Sequence, residues 1–340
     1  MRTSDFDYTL PTEQIAQTPI EPRDHSRLMV LHLESGRIEH RRFFEIAEYL
    51  GAGDVLVLND SRVIPARLMG HKSSGAKVEV LLLNRVDEGI WETLAKPGKR
   101  LKGGTAIEFD SRSAQGRIEA EVLSKDDNGT FQLRFTNEEL LEKMGVVPLP
   151  PYVHVPLQDP ERYQTVYSRS KGSVAAPTAG LHFTPELMET LEEKGVEFVS
   201  VTLHVGLGSF RPVDADDPRE HSLHQEYCEI GADAVQRLNE ARREAKRIIA
   251  VGTTAVRALE WAAGGGGDIQ PVRGWNNLYI LPGYRFRVID AMVTNFHLPR
   301  STLLMLVCAF AGREKVLQAY EEATRNGYRF YSFGDGMFVV

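Results

Sequence analysis

Cysteine is nearly absent: Cys228 and Cys308 are the only two among 340 residues. Far apart in the chain, they offer no disulfide framework, so a reducing compartment, the cytoplasm, is expected. Long apolar runs are missing as well. The longest, Leu303 to Phe310, falls well short of the ~20 residues that span a bilayer. The opening MRTSDFDYTLPTEQ lacks the basic start and apolar core of a secretion signal. No GxxxxGK[ST] phosphate loop, spaced GxGxxG, HExxH or CxxC occurs, which excludes the motif-bearing nucleotide folds and the commonest zinc sites. The nearest approach to a metal site is HSLHQE, with His221 and His224 three apart and Glu226 beside them; its flank DADDPRE is loop-like, and no metal is expected. Positive charge is also in deficit, with 40 Lys and Arg against 47 Asp and Glu and a net charge of −7. A nucleic-acid partner would therefore need a local basic patch. Two runs qualify: Lys96, Lys99, Arg100 and Lys102, and Arg242, Arg243, Lys246 and Arg247. The plain alternative for each is a solvated face.

What is present is an ordinary globular composition, 42% hydrophobic and 26% charged, in a chain long enough for about two domains. The first sixty residues read as mixed α/β: SRLMVLHL a strand, HRRFFEIAEYL a helix, DVLVLN a buried strand. From about Pro65 to Phe135, short alternating runs separated by Gly, Asp, Asn and Ser predict an antiparallel barrel or sandwich. NEELLEKMG reads as a short closing helix capped by Asn137, and VVPLPPYVHVP as a linker. Then α/β alternation resumes. Thr184-Pro185 opens a helix, VEFVSVTLHVG and RIIAV are strands, TTAVRALEWAA is a helix, residues 278–294 give two strands, and STLLMLVCAFAG begins another helix. The simplest architecture is a mixed-sheet α/β domain made from residues 1–62 and 151–340, with a small antiparallel β-barrel inserted at 63–150. Two sequential domains split near Pro150 are the alternative.

Chemistry-bearing residues gather where α/β folds place active sites, at strand ends and the loops behind them. The DVLVLN strand runs into Asp60, Ser61 and Arg62; a turn in which Asp60 pairs with Arg62 or Arg67 is the plain alternative. In GSVAAPTAGLHFTPE, small residues from Gly172 to Gly180 allow close backbone approach, and His182-Phe183 precedes a capped helix. His204 closes a strand before the glycine-rich GLGSF, and Asn295 and His297 close another. Three histidines at three strand ends are natural acids and bases near neutral pH. In VGTTAVRALE, a strand passes through Gly252, Thr253 and Thr254 into a helix whose first amides could hold a carboxylate or phosphate.

Taken in order, FDYTLPTEQIAQTP, GDVLVLNDSRVIPARL, GSVAAPTAGLHFTPEL, VTLHVGLGSFRPV, HSLHQE, VGTTAVRALE, LPGYRFRVIDAMVTNFHLPRSTLLMLVCAFAG and YRFYSFGDGM resemble the S-adenosylmethionine:tRNA ribosyltransferase-isomerases of queuosine biosynthesis. The likeness spans nearly the whole chain, with Ser61 and Ser209 standing where that family usually has Thr. It implies an α/β domain with an inserted β-barrel and no metal. It also implies transfer and isomerisation of the ribosyl part of S-adenosylmethionine, a cosubstrate rather than a resident cofactor. The acceptor would be a 7-aminomethyl-7-deazaguanine at the tRNA wobble position, and the products epoxyqueuosine-tRNA, adenine and methionine. On that footing His204 and His297, then His182, are expected to carry the proton transfers, with Asp60 orienting a histidine or favouring the sulfonium. Arg62 or the Gly252-Thr253-Thr254 turn would hold the methionine carboxylate, and Phe183, Phe210 or Phe296 would stack on adenine. A monomer is expected. The rivals are an S-adenosylmethionine-dependent RNA methyltransferase and a non-catalytic tRNA-binding protein.

Overall fold

A computed structural model describes residues 1–110, 116–126, 129–206, 213–264 and 268–340. The chain forms two compact units. One comprises Met1–Arg62, Pro150–Ser170 and Ala176–Val340; the other comprises Val63–Leu149 with Lys171–Ala175. The short piece 171–175, which sequence patterning leaves with the larger domain, joins the second unit, where the Ile64 amide donates to the Ser173 carbonyl at 2.8 Å.

The larger unit is an α/β fold on a nine-stranded mixed sheet. Its centre is four parallel strands, in spatial order Glu197–Leu203, Asp54–Asn59, Arg247–Val251 and Ala291–Asn295. Gly336–Val339 then pairs antiparallel with Ala291–Asn295, and Arg27–Leu31 and Ile38–Arg42 complete that side. Glu226–Ile230 and Val272–Asn276 extend the other side antiparallel. Asp54–Asn59, Arg247–Val251 and Ala291–Asn295 are buried along nearly their whole length because both faces are covered, whereas Glu197–Leu203 buries alternate residues. Leu56, Leu58, Ile249, Val251 and Val293 belong to a core shared with Phe43, Phe183, Leu187 and Leu191. Among the described residues no helix is long and apolar enough to cross a membrane.

The smaller unit is a closed six-stranded antiparallel barrel. Alternation does what the sequence pattern implies: in Arg117–Lys125, Ile118, Ala120 and Val122 face inward while Glu119 and Glu121 face out.

Three local expectations are corrected. HRRFFEIAEYL is no α-helix: it supplies most of the edge strand Ile38–Arg42, then a tight 3₁₀ turn over Phe43–Glu48 that buries Phe43 and Ile46. Residues 138–144 form a 3₁₀ turn and a four-residue helix, and Asn137 makes no side-chain cap. The two strands expected within 278–294 become Val272–Asn276 and Ala291–Asn295, with irregular chain between. Buried Glu260 explains the irregularity. Its carboxylate accepts the amides of Arg287 and Val288 at 2.9–3.1 Å, so those groups are satisfied by a side chain instead of a ladder.

Gly180 shows what the small residues of GSVAAPTAG do. A β-carbon there would stand 1.8 Å from the Tyr167 hydroxyl and 2.9 Å from Thr165 Cγ2, so the close approach is to the protein's own side chains. Gly180→Ala is expected to destabilise the protein by about 1–3 kcal/mol. Adding Tyr167→Phe, which deletes the colliding oxygen, should recover part of that loss in urea unfolding. Equal stability of Gly180→Ala and the parent would refute the packing argument.

Candidate active site

Parallel strands deliver their carboxyl ends to one edge of a sheet, and three of the four central strands contribute to one pocket there. Val205 follows the first, Gly252, Thr253 and Thr254 follow the second, and Thr294 to Leu298 end the third. The cleft encloses about 720 Å³, part of it open to solvent. Its remaining wall includes Pro177, Thr178, Arg257, Ser301, Tyr152, Tyr331 and Ser332.

Two asparagines lock this edge. Asn59 Nδ2 donates to the Leu203 carbonyl at 2.9 Å, while its Oδ1 accepts the Leu203 amide at 3.0 Å. Asn295 Oδ1 accepts from Thr178 Oγ1 at 2.9 Å, and its Nδ2 donates to His182 Nε2 at 3.1 Å.

The three histidines do not converge. His297 lines the pocket, with Nε2 2.8 Å from Thr294 Oγ1 and its backbone held by the hydroxyls of Tyr8 and Tyr320. Burial lowers its pKa to about 3, so the ring is neutral at pH 7. His182 ends a 3₁₀ turn, not a strand, and lies buried and stacked on the ring of Phe43 at 4.7 Å, beside a separate small pocket that Arg23 and Ser26 also line. Its Nδ1 is 2.7 Å from Ser26 Oγ. Burial, then the nearby Arg329 and Arg23 charges, lower its pKa to about 3. His204 stacks on Tyr227 at 5.7 Å outside the pocket lining, with Nδ1 buried and unpartnered. Its pKa is lowered by burial and drawn back by Asp60 and Glu229.

The Asp60 carboxylate is taken by Arg169 Nε at 2.6 Å and Thr202 Oγ1 at 2.7 Å; it makes no histidine hydrogen bond among the described residues. Arg62 is committed to Glu161 and Ser168. Phe183 is 0% exposed in the core, and Phe296 is 0% exposed and packed edge-on against Tyr320 and Tyr328. Phe183 is absent from the pocket lining, whereas Phe296 touches the pocket with its ring held in an aromatic cluster. Phe210 lies outside the described residues. His221 and His224 sit on irregular chain, not one helical turn, and Glu226 is spent on an ion pair with buried Arg257. No group of three or more His, Cys, Asp or Glu positioned for a metal occurs among the described residues.

Sequence reading misses Tyr152, Tyr331, Ser332 and Arg257. Tyr152 stands in what reads as a linker, yet its ring centroid lies 4.6 Å from that of Tyr331 and its hydroxyl 2.7 Å from Ser332 Oγ. Tyr331 has a positive φ of 71°, a strained conformation that sequence does not disclose. Arg257 looks like one polar residue of an amphipathic helix.

The buried neutral His182 makes stability depend on pH. Its folded pKa lies below the value of about 6.5 in an unfolded chain. The unfolded state therefore binds the extra proton first, and stability present above about pH 6.5 is lost as pH falls toward 3. The slope is about 1.4 kcal/mol per pH unit for one such group. Unfolding measured at pH 7, 6 and 5 should show this decline, and it should be shallower in His182→Gln. An unchanged slope in the variant would contradict the assignment.

A family profile described as queuosine biosynthesis protein matches residues 3–339. The chain is 53% identical over 345 residues to an S-adenosylmethionine:tRNA ribosyltransferase-isomerase of Desulfitobacterium hafniense, and 54% identical over 343 residues to one of Dehalococcoides mccartyi, covering 100% of both chains each time. A crystal structure of S-adenosylmethionine tRNA ribosyltransferase from Thermotoga maritima aligns over 99% of this chain and 100% of its own, with TM-score 0.58 and 44% identity. With end-to-end agreement in sequence and a shared fold, the chain belongs to the queuosine biosynthesis family of S-adenosylmethionine:tRNA ribosyltransferase-isomerases.

Proposed function

We propose that this protein transfers and isomerises the ribosyl group of S-adenosylmethionine onto a 7-aminomethyl-7-deazaguanine at the tRNA wobble position, releasing adenine and methionine. The observation that carries the reading is the full-length family match. The strand-end pocket supports it by offering a neutral imidazole, a helix start and aromatic rings together. S-adenosylmethionine enters as a cosubstrate, in a cytoplasmic reaction, and the enzyme works as a monomer.

A sulfonium acidifies the adjacent C5′–H because positive sulfur stabilises the carbanion formed. His297 is the pocket's proton acceptor. Burial keeps it neutral, and when it takes the proton the ylide forms as the imidazole becomes cationic. The pocket's net charge is unchanged, which suits a site shielded from water. The Tyr152–Tyr331 pair, in place of Phe183 or Phe296, offers an aromatic wall for the purine.

The basic runs divide under the structure. Around Arg243, Lys246 pairs with Glu197 and Glu244, and Arg247 with Asp54, which cancels most of the local field. Lys96, Lys99, Arg100 and Lys102 are exposed on the barrel unit, and no carboxylate pairs with them among the described residues. They are the better phosphate contacts.

Three outcomes check these assignments. Protein incubated with S-adenosylmethionine and suitably modified tRNA should release free adenine, whereas a methyltransferase would leave S-adenosylhomocysteine. His297→Ala should lower turnover by about 10²–10⁴-fold with little change in melting temperature, and His204→Ala by much less. The reverse ranking would move the proton transfer to His204. For RNA, Lys99→Ala should flatten the affinity-versus-salt slope by about 0.7–0.9, and Arg243→Ala should leave it alone. Equal slopes for Lys99→Ala and the parent would leave that run facing solvent only.

A further inference from the structure

The helix Thr253–Ala262 brings an unusual group to the pocket wall. Arg257 is 4% exposed, and its Nε donates to the Leu278 carbonyl at 3.1 Å. Its Nη1 is paired with Glu226, itself 3% exposed. Its Nη2 is buried and has no partner at all. A guanidinium always carries its charge and offers five N–H donors in a fixed plane. Leaving one end of it dry and unbonded costs free energy that a native fold seldom tolerates without reason.

The same helix face carries a second unsatisfied group. Thr254 precedes Arg257 by three residues, so both side chains project from one side of the helix, and Thr254 Oγ1 is likewise buried without a partner. Just ahead lies the helix start at Gly252, where backbone N–H groups have no intrahelical acceptor and the dipole favours an anion. Gly252 adopts a φ of +90° there, and with Thr253, Thr254 and Arg257 it lines the cleft. An unbonded cationic nitrogen and an unbonded hydroxyl thus stand beside a helix start, on residues that line one cleft. A planar, singly charged anion with two oxygens satisfies such a set. Glu226 already balances one charge of Arg257, so the added anion is best brought by a ligand that supplies its own positive charge. The amino-acid end of a sulfonium compound has that character.

We propose that Arg257 is the carboxylate anchor of the pocket: with Thr254 and the helix start it holds the methionyl carboxylate of the cosubstrate. This rests on the reading that S-adenosylmethionine occupies the cleft. Glu226 Oε1 accepts the Gly206 amide at 2.9 Å, next to the pocket residue Val205. The anchor is therefore also tied to the chain that follows the Glu197–Leu203 strand, and Glu226 serves as a positioning residue for Arg257.

The test compares two ligands on the full-length protein by calorimetry: S-adenosylmethionine and its decarboxylated analogue, which keeps the sulfonium, sugar and adenine. Wild-type protein should bind the analogue about 10–100-fold more weakly, as expected when one charge-assisted hydrogen-bonded pair is removed. Arg257→Gln should weaken S-adenosylmethionine by a similar factor and leave the analogue nearly unaffected, erasing the preference. Because Arg257→Gln leaves the Glu226 charge buried and unpaired, Glu226→Gln with Arg257→Gln provides a neutral pair, checked by melting temperature, and should also show no preference. Equal binding of the two ligands by wild-type protein overturns the anchor, and so does a preference surviving in folded Arg257→Gln. Adenine release by the wild-type enzyme is scored separately. If release occurs while the two ligands bind alike, the anchor falls and the transfer reaction stands. If no adenine is released by folded protein on modified tRNA, the transfer reading falls, while the ligand preference and its loss in Arg257→Gln still decide the anchor.

Discussion

Parallel strands that end together leave peptide groups with no neighbour to complete the ladder, and the whole site depends on how those groups are satisfied. Asn59 satisfies both peptide groups of Leu203, and Asn295 ties its strand end to the Thr178 and His182 side chains. Each stands at the last position of a central strand, and each uses both ends of its amide to bind adjoining chain. Asn295 reaches the Thr178–His182 turn on one side and lines the cleft on the other. Side-chain amides thus tie the strand ends at this edge to neighbouring chain, and a site built on such ends sits on regular structure.

The second theme is how charge is handled out of water. His182 and His297 shed theirs, because desolvation disfavours the imidazolium in both places. One ties Ser26 to Asn295, and the other lines the strand-end cleft. Arg257 cannot shed its charge, so it is matched by Glu226 and left one donor short. Asp60 and Arg62, which sequence places among the site residues, are absorbed into ion pairs with Arg169 and Glu161. Their charges are neutralised locally and contribute to holding chain segments in place.

Much of the fold is legible without coordinates. Period-two alternation marks the barrel strands, and unbroken apolar runs mark the buried parallel ones, since both patterns follow directly from which faces meet water. Caps read correctly where the chemistry is local: the Thr184 and Ser301 side chains accept the amides of Leu187 and Leu304. Failures occur where a distant group intervenes. Segment 278–290 looks extended, but Glu260 claims its amides. HRRFFEIAEYL carries a helical apolar spacing, yet its first three members, His40 to Arg42, pair with residues 27–29 at the sheet edge.

Sequence alone determined the class of fold, the near-absence of cysteine chemistry and the family, because long motifs and periodicities are properties of neighbours along the chain. Only the tertiary structure decided which histidine opens onto the cleft, which rings are buried and which cleft-lining arginine keeps an unbonded nitrogen. Those are questions of solvent access and of contacts between residues as far apart as Glu226 and Arg257, or Tyr152 and Tyr331. A side chain's pKa and its free hydrogen-bonding capacity are set by what surrounds it in space, and no local pattern encodes that.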